Sequence, residues 1–161
     1  MKTSSGKNER RLYGDLAWTW PIISPVEDYI EETELFSKLI EEHSMIEVKT
    51  LLHLDCGSGH NDYNFQKDFK VTSVDVSEDM LWLAKKLNPE VNNQYGDMQI
   101  MRLEERFDAV TILDSINYIR TVEDLQKTFI TKYSKLSIDI FYSTVCRTAT
   151  MIIKFGGGGG I

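Results

Sequence analysis

Cysteine, proline and histidine are scarce in this chain: 2, 3 and 3 copies in 161 residues. Cys56 and Cys146 cannot build a disulfide scaffold or a four-thiolate zinc site. No histidine or cysteine cluster has metal-ligand spacing, so no metal is expected. There is also no run of about 20 apolar residues, which leaves no helical membrane span and no reason to expect a membrane partner. Positive charge is in deficit, with 18 Lys+Arg against 25 Asp+Glu and a formal charge of −7. Affinity for nucleic acid comes mainly from cations that neutralise phosphates, so no nucleic-acid partner is expected. The first eleven residues are polar and carry no apolar signal segment, so a reduced, cytoplasmic setting is expected.

What is present is an ordinary globular balance, with 42% hydrophobic and 27% charged residues, at a length that suits one domain. A chain of this size buries roughly 70% of its unfolded surface, enough for a core without staples. The distribution is uneven. Residues 1–130 hold 14 basic and 24 acidic residues, whereas 131–161 hold 4 basic residues and 1 acid. The last stretch also contains Gly156 to Gly160, which cannot pack a core. The expected organisation is therefore one domain, with an N-terminal segment over 1–23, a core over 24–130 and an atypical end over 131–161.

Hydrophobic periodicity orders the core. Ser24-Pro25-Val26-Glu27 has capping-box form and opens a predicted helix to about Ser44. Val48 to Leu54 reads as a buried strand that runs into the turn Asp55-Cys56-Gly57-Ser58-Gly59, and a short helix follows over 60–69. Val71 to Val76 is a second strand. Ser77 is placed to cap a helix with Glu78 and Asp79 in its first turn, ending at Asn88-Pro89. Strands are expected at 91–95 and 107–113, a helix from Thr121, and further strands at 137–145 and 150–155. Strand–helix alternation predicts an α/β doubly wound, Rossmann-like sandwich with a mostly parallel sheet.

In such a sheet ligands bind beyond the carboxyl ends of the strands, so the strand ends carry the functional reading. They are Asp55-Cys56-Gly57-Ser58-Gly59, then Asp75, then Gly96-Asp97-Met98, then Asp114-Ser115. Gly57 and Gly59 permit a tight turn and close approach of a ligand to the backbone. Asp75 ends the second strand, where an acid hydrogen-bonds a ribose diol in nucleoside-binding sheets. The dinucleotide fingerprint would need a third glycine where His60 and Asn61 stand. A carboxylate at the end of strand one also suits an ammonium or sulfonium ligand better than a pyrophosphate.

These segments, with Val74-Asp75-Val76-Ser77-Glu78-Asp79-Met80-Leu81 and Phe107-Asp108-Ala109-Val110, occur in the order and spacing of one family. The chain resembles the class I S-adenosylmethionine-dependent methyltransferases over about residues 11–130. Leu12 to Trp18 resembles the N-terminal segment of members that act on small molecules. The resemblance implies that Asp55, Gly57 and Gly59 line the methionine half of S-adenosylmethionine. It implies that Asp75 takes the ribose hydroxyls, Val76 packs beside adenine, Asp97 accepts from the adenine amino group, and Met98 lies against the ring. Asp114 and Ser115 would sit near the transferring methyl, and Tyr13 and Trp18 would form a lid. Asp114 is the first candidate for a general base and Tyr13 the second. The implied reaction is methyl transfer to a small-molecule acceptor. A nicotinamide-dependent Rossmann oxidoreductase and a non-catalytic binding protein are the alternatives.

His53 is expected to be a structural neighbour of the core, and Cys56 a small packed residue rather than a nucleophile. Two departures from the family stand out. The third loop glycine is missing near His60 and Asn61. The family's Leu-x-Pro-Gly-Gly turn is also absent after the helix at 122–135, so the sheet is expected to be incomplete from about Thr131. It would lack the family's edge hairpin, strand 138–145 would serve as the edge, and the exposed edge would favour self-association.

Overall fold

In the computed structural model the described residues are 11–101, 103, 105–113, 115, 121, 123–124, 138–145 and 148–155, the last two segments as backbone. The helices are α1 (Trp20–Ile23), α2 (Ile30–His43), α3 (His60–Phe65) and α4 (Glu78–Leu87). The strands are β1 (Thr50–Leu54), β2 (Lys70–Asp75), β3 (Asn92–Tyr95), β4 (Ala109–Ile112), β5 (Ile138–Val145) and β6 (Thr148–Phe155). They form one sheet in the order β3-β2-β1-β4-β6-β5. The first four strands are parallel, and β6 joins β4 antiparallel. This is the expected α/β sandwich with a mostly parallel sheet.

Alternation along β1 explains why both faces are buried. Leu51 joins Phe36 and Ile40 of α2 and Phe65 of α3 in one cluster. Leu52 and Leu54 point the other way, into a cluster with Val74, Val110 and Ile112 that Met98, Met101 and Leu103 flank. A parallel sheet needs this two-sided cover. Ser77 caps α4 as expected, its Oγ accepting from the Met80 N–H at 3.1 Å.

Two expectations require correction. Ser24 does not cap a helix. Pro25 is extended, with ψ of 155°, a 3-10 turn spans Val26–Tyr29, and the Ser24 hydroxyl instead lies 2.8 Å from the Tyr29 hydroxyl. An edge hairpin is also present. β5 and β6 pair antiparallel from Ile138↔Phe155 to Val145↔Thr148, which places β6 inside the sheet and β5 at its edge. The expected edge strand at 138–145 is therefore present as β5. The Gly156–Gly160 run lies outside the described residues.

Candidate active site

The carboxyl ends of β1, β2 and β3 open on one cavity of about 720 Å³, within the usual size of small-ligand sites. Its wall begins where β1 ends. Asp55 has φ of 59°, in the left-handed region that favours glycine, and Gly57 (57°) and Gly59 (77°) share that region. Three such residues in five reverse the chain sharply and turn the loop backbone toward the cavity.

The two glycines do different work. A Cβ on Gly57 would meet nothing within 4 Å, so this residue keeps the cavity floor open. A Cβ on Gly59 would lie 2.7 Å from Asn88 Nδ2 and 3.0 Å from Ala84 Cβ. Gly59 therefore packs against α4 and stands behind the wall, while Asp55, Cys56, Gly57, Ser58, His60 and Asn61 line the cavity. Asn88 braces the loop from the end of α4, donating from Nδ2 to the Gly59 carbonyl at 2.7 Å and accepting from Gln66 Nε2 at 3.1 Å.

Asp75 ties the strand ends together. Its Oδ2 accepts from the Gly57 N–H at 2.7 Å and its Oδ1 from the Ser77 N–H at 2.8 Å, and its carbonyl accepts from the Gly96 N–H at 2.9 Å. Burial pushes its pKa up, against the pull of those N–H groups. An ionised carboxylate has about four acceptor positions, more than the N–H groups of Gly57, Val76 and Ser77 fill, so acceptor capacity remains for a ligand hydroxyl. Val76 and Tyr95 also line the cavity and are 49% and 62% exposed, apolar surfaces open to a flat ring. Asp97 stands beyond them. Its Oδ1 accepts from the Gln99 N–H at 2.8 Å, and Met98 lines the cavity while packing on the second core cluster.

His53, which sequence reading assigned to the core, lines the cavity and joins a buried network. His53 Nδ1 is 2.6 Å from Asp62 Oδ1, and Ser73 Oγ donates to Asp62 Oδ2 at 2.6 Å. All three residues are at most 1% exposed. The signal was His53↔Ser73, which are cross-strand partners on one face once β1 and β2 are in register. Cys56 is buried, and burial first, then the nearby Asp62, Asp75 and Asp55, drives its pKa well up. A protonated thiol in that setting is a packed residue.

The roof comes from the N-terminal segment. Tyr13, Gly14, Trp20 and Tyr29 line the cavity. The Tyr13 and Trp20 rings are 5.6 Å apart, and Ser77 Oγ donates to the Tyr13 carbonyl. The expected lid pair was Tyr13 and Trp18. Trp18 is 61% exposed and outside the lining, because the 3-10 turn at Ala17–Thr19 followed by α1 directs position 20 inward. Ser115 is buried and lines the far wall beside Leu113. Asp114 lies outside the described residues. Among the described residues no cluster of histidine, cysteine and carboxylate groups could hold a metal, and no helix is long and apolar enough to cross a membrane.

A family model described as a methyltransferase domain matches residues 51–136, more than half of the chain. The chain belongs to the class I S-adenosylmethionine-dependent methyltransferase family. It is 35% identical over 100 residues to the dTDP-3-amino-3,4,6-trideoxy-α-D-glucopyranose N,N-dimethyltransferase of Streptomyces venezuelae, a match covering 61% of this chain and 42% of that protein. It is 34% identical over 89 residues to the dTDP-3-amino-3,6-dideoxy-α-D-glucopyranose N,N-dimethyltransferase of Streptomyces fradiae, covering 55% of this chain and 34% of that one. The matched stretch thus spans about two fifths or less of these curated relatives. Among solved structures the fold is similar to Streptomyces venezuelae DesVI, with a TM-score of 0.66 at 22% identity over 91% of this chain and 72% of that one. It is also similar to CalS10, an amino pentose methyltransferase from Micromonospora echinaspora, with a TM-score of 0.60 at 19% identity over 82% and 65%.

Proposed function

We propose that the cavity binds S-adenosylmethionine and that the chain transfers its methyl group to a small-molecule acceptor. The observation that carries this reading is the setting of Asp75: a buried carboxylate pinned by the Gly57 and Ser77 N–H groups, facing a cavity whose floor at Gly57 has no side chain. The acceptor capacity left on that carboxylate suits ribose hydroxyls, and Val76 and Tyr95 suit the faces of an adenine. Asp97 and Met98 complete the adenine end, while Asp55 and Gly57 serve the methionine end. Ser115 stands on the side of the transferring methyl.

When bound, the cofactor supplies a methyl group activated by a sulfonium. The protein's share is alignment and exclusion of water, and alignment can lower such a barrier by roughly 7–11 kcal/mol. Tyr13, at the roof, is the described candidate for receiving a proton from the acceptor, and Asp114 is the other. Amino-sugar relatives favour an acceptor amine on a nucleotide-linked sugar, and the deficit of basic residues disfavours a polyanion. Family membership favours this reading over the nicotinamide-dependent and non-catalytic alternatives. The unit is read as one domain of roof segment, core and atypical end, with self-association through the β5 edge. The scarcity of cysteine supports a cytoplasmic setting.

The test is incubation with S-adenosylmethionine and a panel of dTDP-linked amino sugars, read by mass spectrometry. The expected result is a methylated sugar and one S-adenosylhomocysteine for each methyl group transferred. S-adenosylhomocysteine absent with every acceptor, from a folded protein that retains the cofactor, would contradict the transferase assignment.

A further inference from the structure

One part of the cavity wall has no role in the reading above. His60 follows Gly59, lines the cavity and is 5% exposed. Its Nδ1 lies 2.6 Å from Ser58 Oγ, and the Tyr29 ring stacks on it at 5.0 Å with an interplanar angle of 12°. Tyr29 is itself held by Ser24 at its hydroxyl and by Thr33, which donates to its carbonyl at 2.7 Å. Thr33 Oγ1 also lies 2.6 Å from Asn61 Oδ1, so the start of α3 is fastened to the start of α2. The imidazole is thus held on one face and at Nδ1, it lines the cavity, and no described residue hydrogen-bonds its Nε2. Burial lowers the pKa of this ring, against the pull of Glu27, so it is a neutral group with one donor to offer.

The second observation is charge. Asp55, Asp75, Glu78, Asp79 and Asp97 line the cavity, and among the described residues no lysine or arginine does. The methionine half of the cofactor carries an ammonium and a carboxylate. The acids suit the ammonium. Among the described lining residues the carboxylate meets no cationic side chain, and the donors on offer to it are neutral.

We propose that His60 docks that carboxylate, donating from Nε2–H while Ser58 donates to Nδ1 and Tyr29 backs the ring. The inference rests on reading the cavity as the S-adenosylmethionine site. It makes His60 a residue that discriminates the amino-acid end of the ligand from its adenosine end.

The experiment is calorimetry with two probes, S-adenosylhomocysteine and 5′-methylthioadenosine, which lacks the amino-acid end. Against the parent protein, His60→Leu is expected to weaken S-adenosylhomocysteine about tenfold or more, the scale of one hydrogen bond to a charged group. Methylthioadenosine affinity should change less than about twofold, since its contacts lie elsewhere. His60→Gln keeps a donor and should recover part of the loss. Ser58→Ala, which frees Nδ1 without touching the ring, should show a smaller loss with the same selectivity. Equal weakening of both probes, or of neither, would overturn the assignment. Failure of the parent protein to bind S-adenosylhomocysteine at all would overturn the cofactor reading beneath it.

Discussion

The cavity is built from two regions held in different ways. Its floor, from Asp55 to Asp62 with Asp75 and Asn88, is fastened by buried hydrogen bonds, many of them between residues far apart in sequence. Its roof, from Leu12 to Tyr29, meets the rest of the cavity wall through the Ser77–Tyr13 hydrogen bond and the Tyr29–His60 stack, and leaves Trp18, Ile22 and Ile23 at 61%, 71% and 59% exposure. Buried polar networks are costly to break because each lost partner leaves a group without water. The floor should therefore fail through stability, and the roof through ligand retention.

The sharpest way to break this contrast is at Asp62. Asp62→Ala leaves His53 Nδ1 and Ser73 Oγ without their acceptor in the interior, and should cost about 3 kcal/mol or more of folding stability. Chemical denaturation measures it, and a loss below about 1 kcal/mol would mean that the network relaxes onto other partners. The glycines sharpen the comparison within the floor. Gly59→Ala forces a Cβ onto Asn88 and Ala84 and should cost about 1–3 kcal/mol. Gly57→Ala meets open space and should cost only its left-handed strain, about 1 kcal/mol, while hindering the ligand. Equal losses at the two positions would remove the distinction between packing and cavity glycines.

On the roof, Tyr13→Ala should change stability by less than about 1 kcal/mol, as exposed positions usually do. Its effect should appear instead as faster release of S-adenosylhomocysteine in stopped-flow dissociation. The smallest effect is electrostatic. Burial works against ionisation of Asp108, but the Lys49 and Thr50 N–H groups and the Thr50 hydroxyl outweigh it and hold the pKa below the usual carboxylate value. A lowered pKa stabilises the fold above the unfolded-state pKa near 3.8, and that contribution is lost as pH falls through the folded-state value. Asp108→Asn should therefore flatten the acid limb of the stability curve below about pH 4 by less than about 1 kcal/mol, the group being largely solvated. An unchanged acid limb would take Asp108 out of the account.

How much was legible follows the range of the forces involved. β1, β2 and α4 could be read because each has a strong local signal: an apolar run before a glycine turn, or a capping serine before a 3.6-residue stripe. The strand-end residues Asp55, Gly57, Asp75, Asp97 and Met98 meet at one cavity because a parallel sheet brings its carboxyl ends together. The His53–Asp62–Ser73 network was illegible because it depends on sheet register and on where α3 begins. Trp18 and Trp20 were both candidate contacts, and only Trp20 lines the cavity, because the 3-10 turn that sets their facing is not marked by periodicity. Both C-terminal strands and the edge position of the first were legible, but their antiparallel pairing was not, because register between two apolar segments carries no local signal.

The central claim is that Asp75 makes this cavity a nucleoside site serving S-adenosylmethionine. Calorimetric titration with S-adenosylhomocysteine, on the parent protein and on Asp75→Ala, tests it most directly. The account predicts saturable one-site binding by the parent protein, no binding of NAD, and a loss of about 1–3 kcal/mol in the folded variant, the value of hydrogen bonds to a charged group. Undiminished affinity in the variant, or tighter binding of NAD than of S-adenosylhomocysteine, would contradict it.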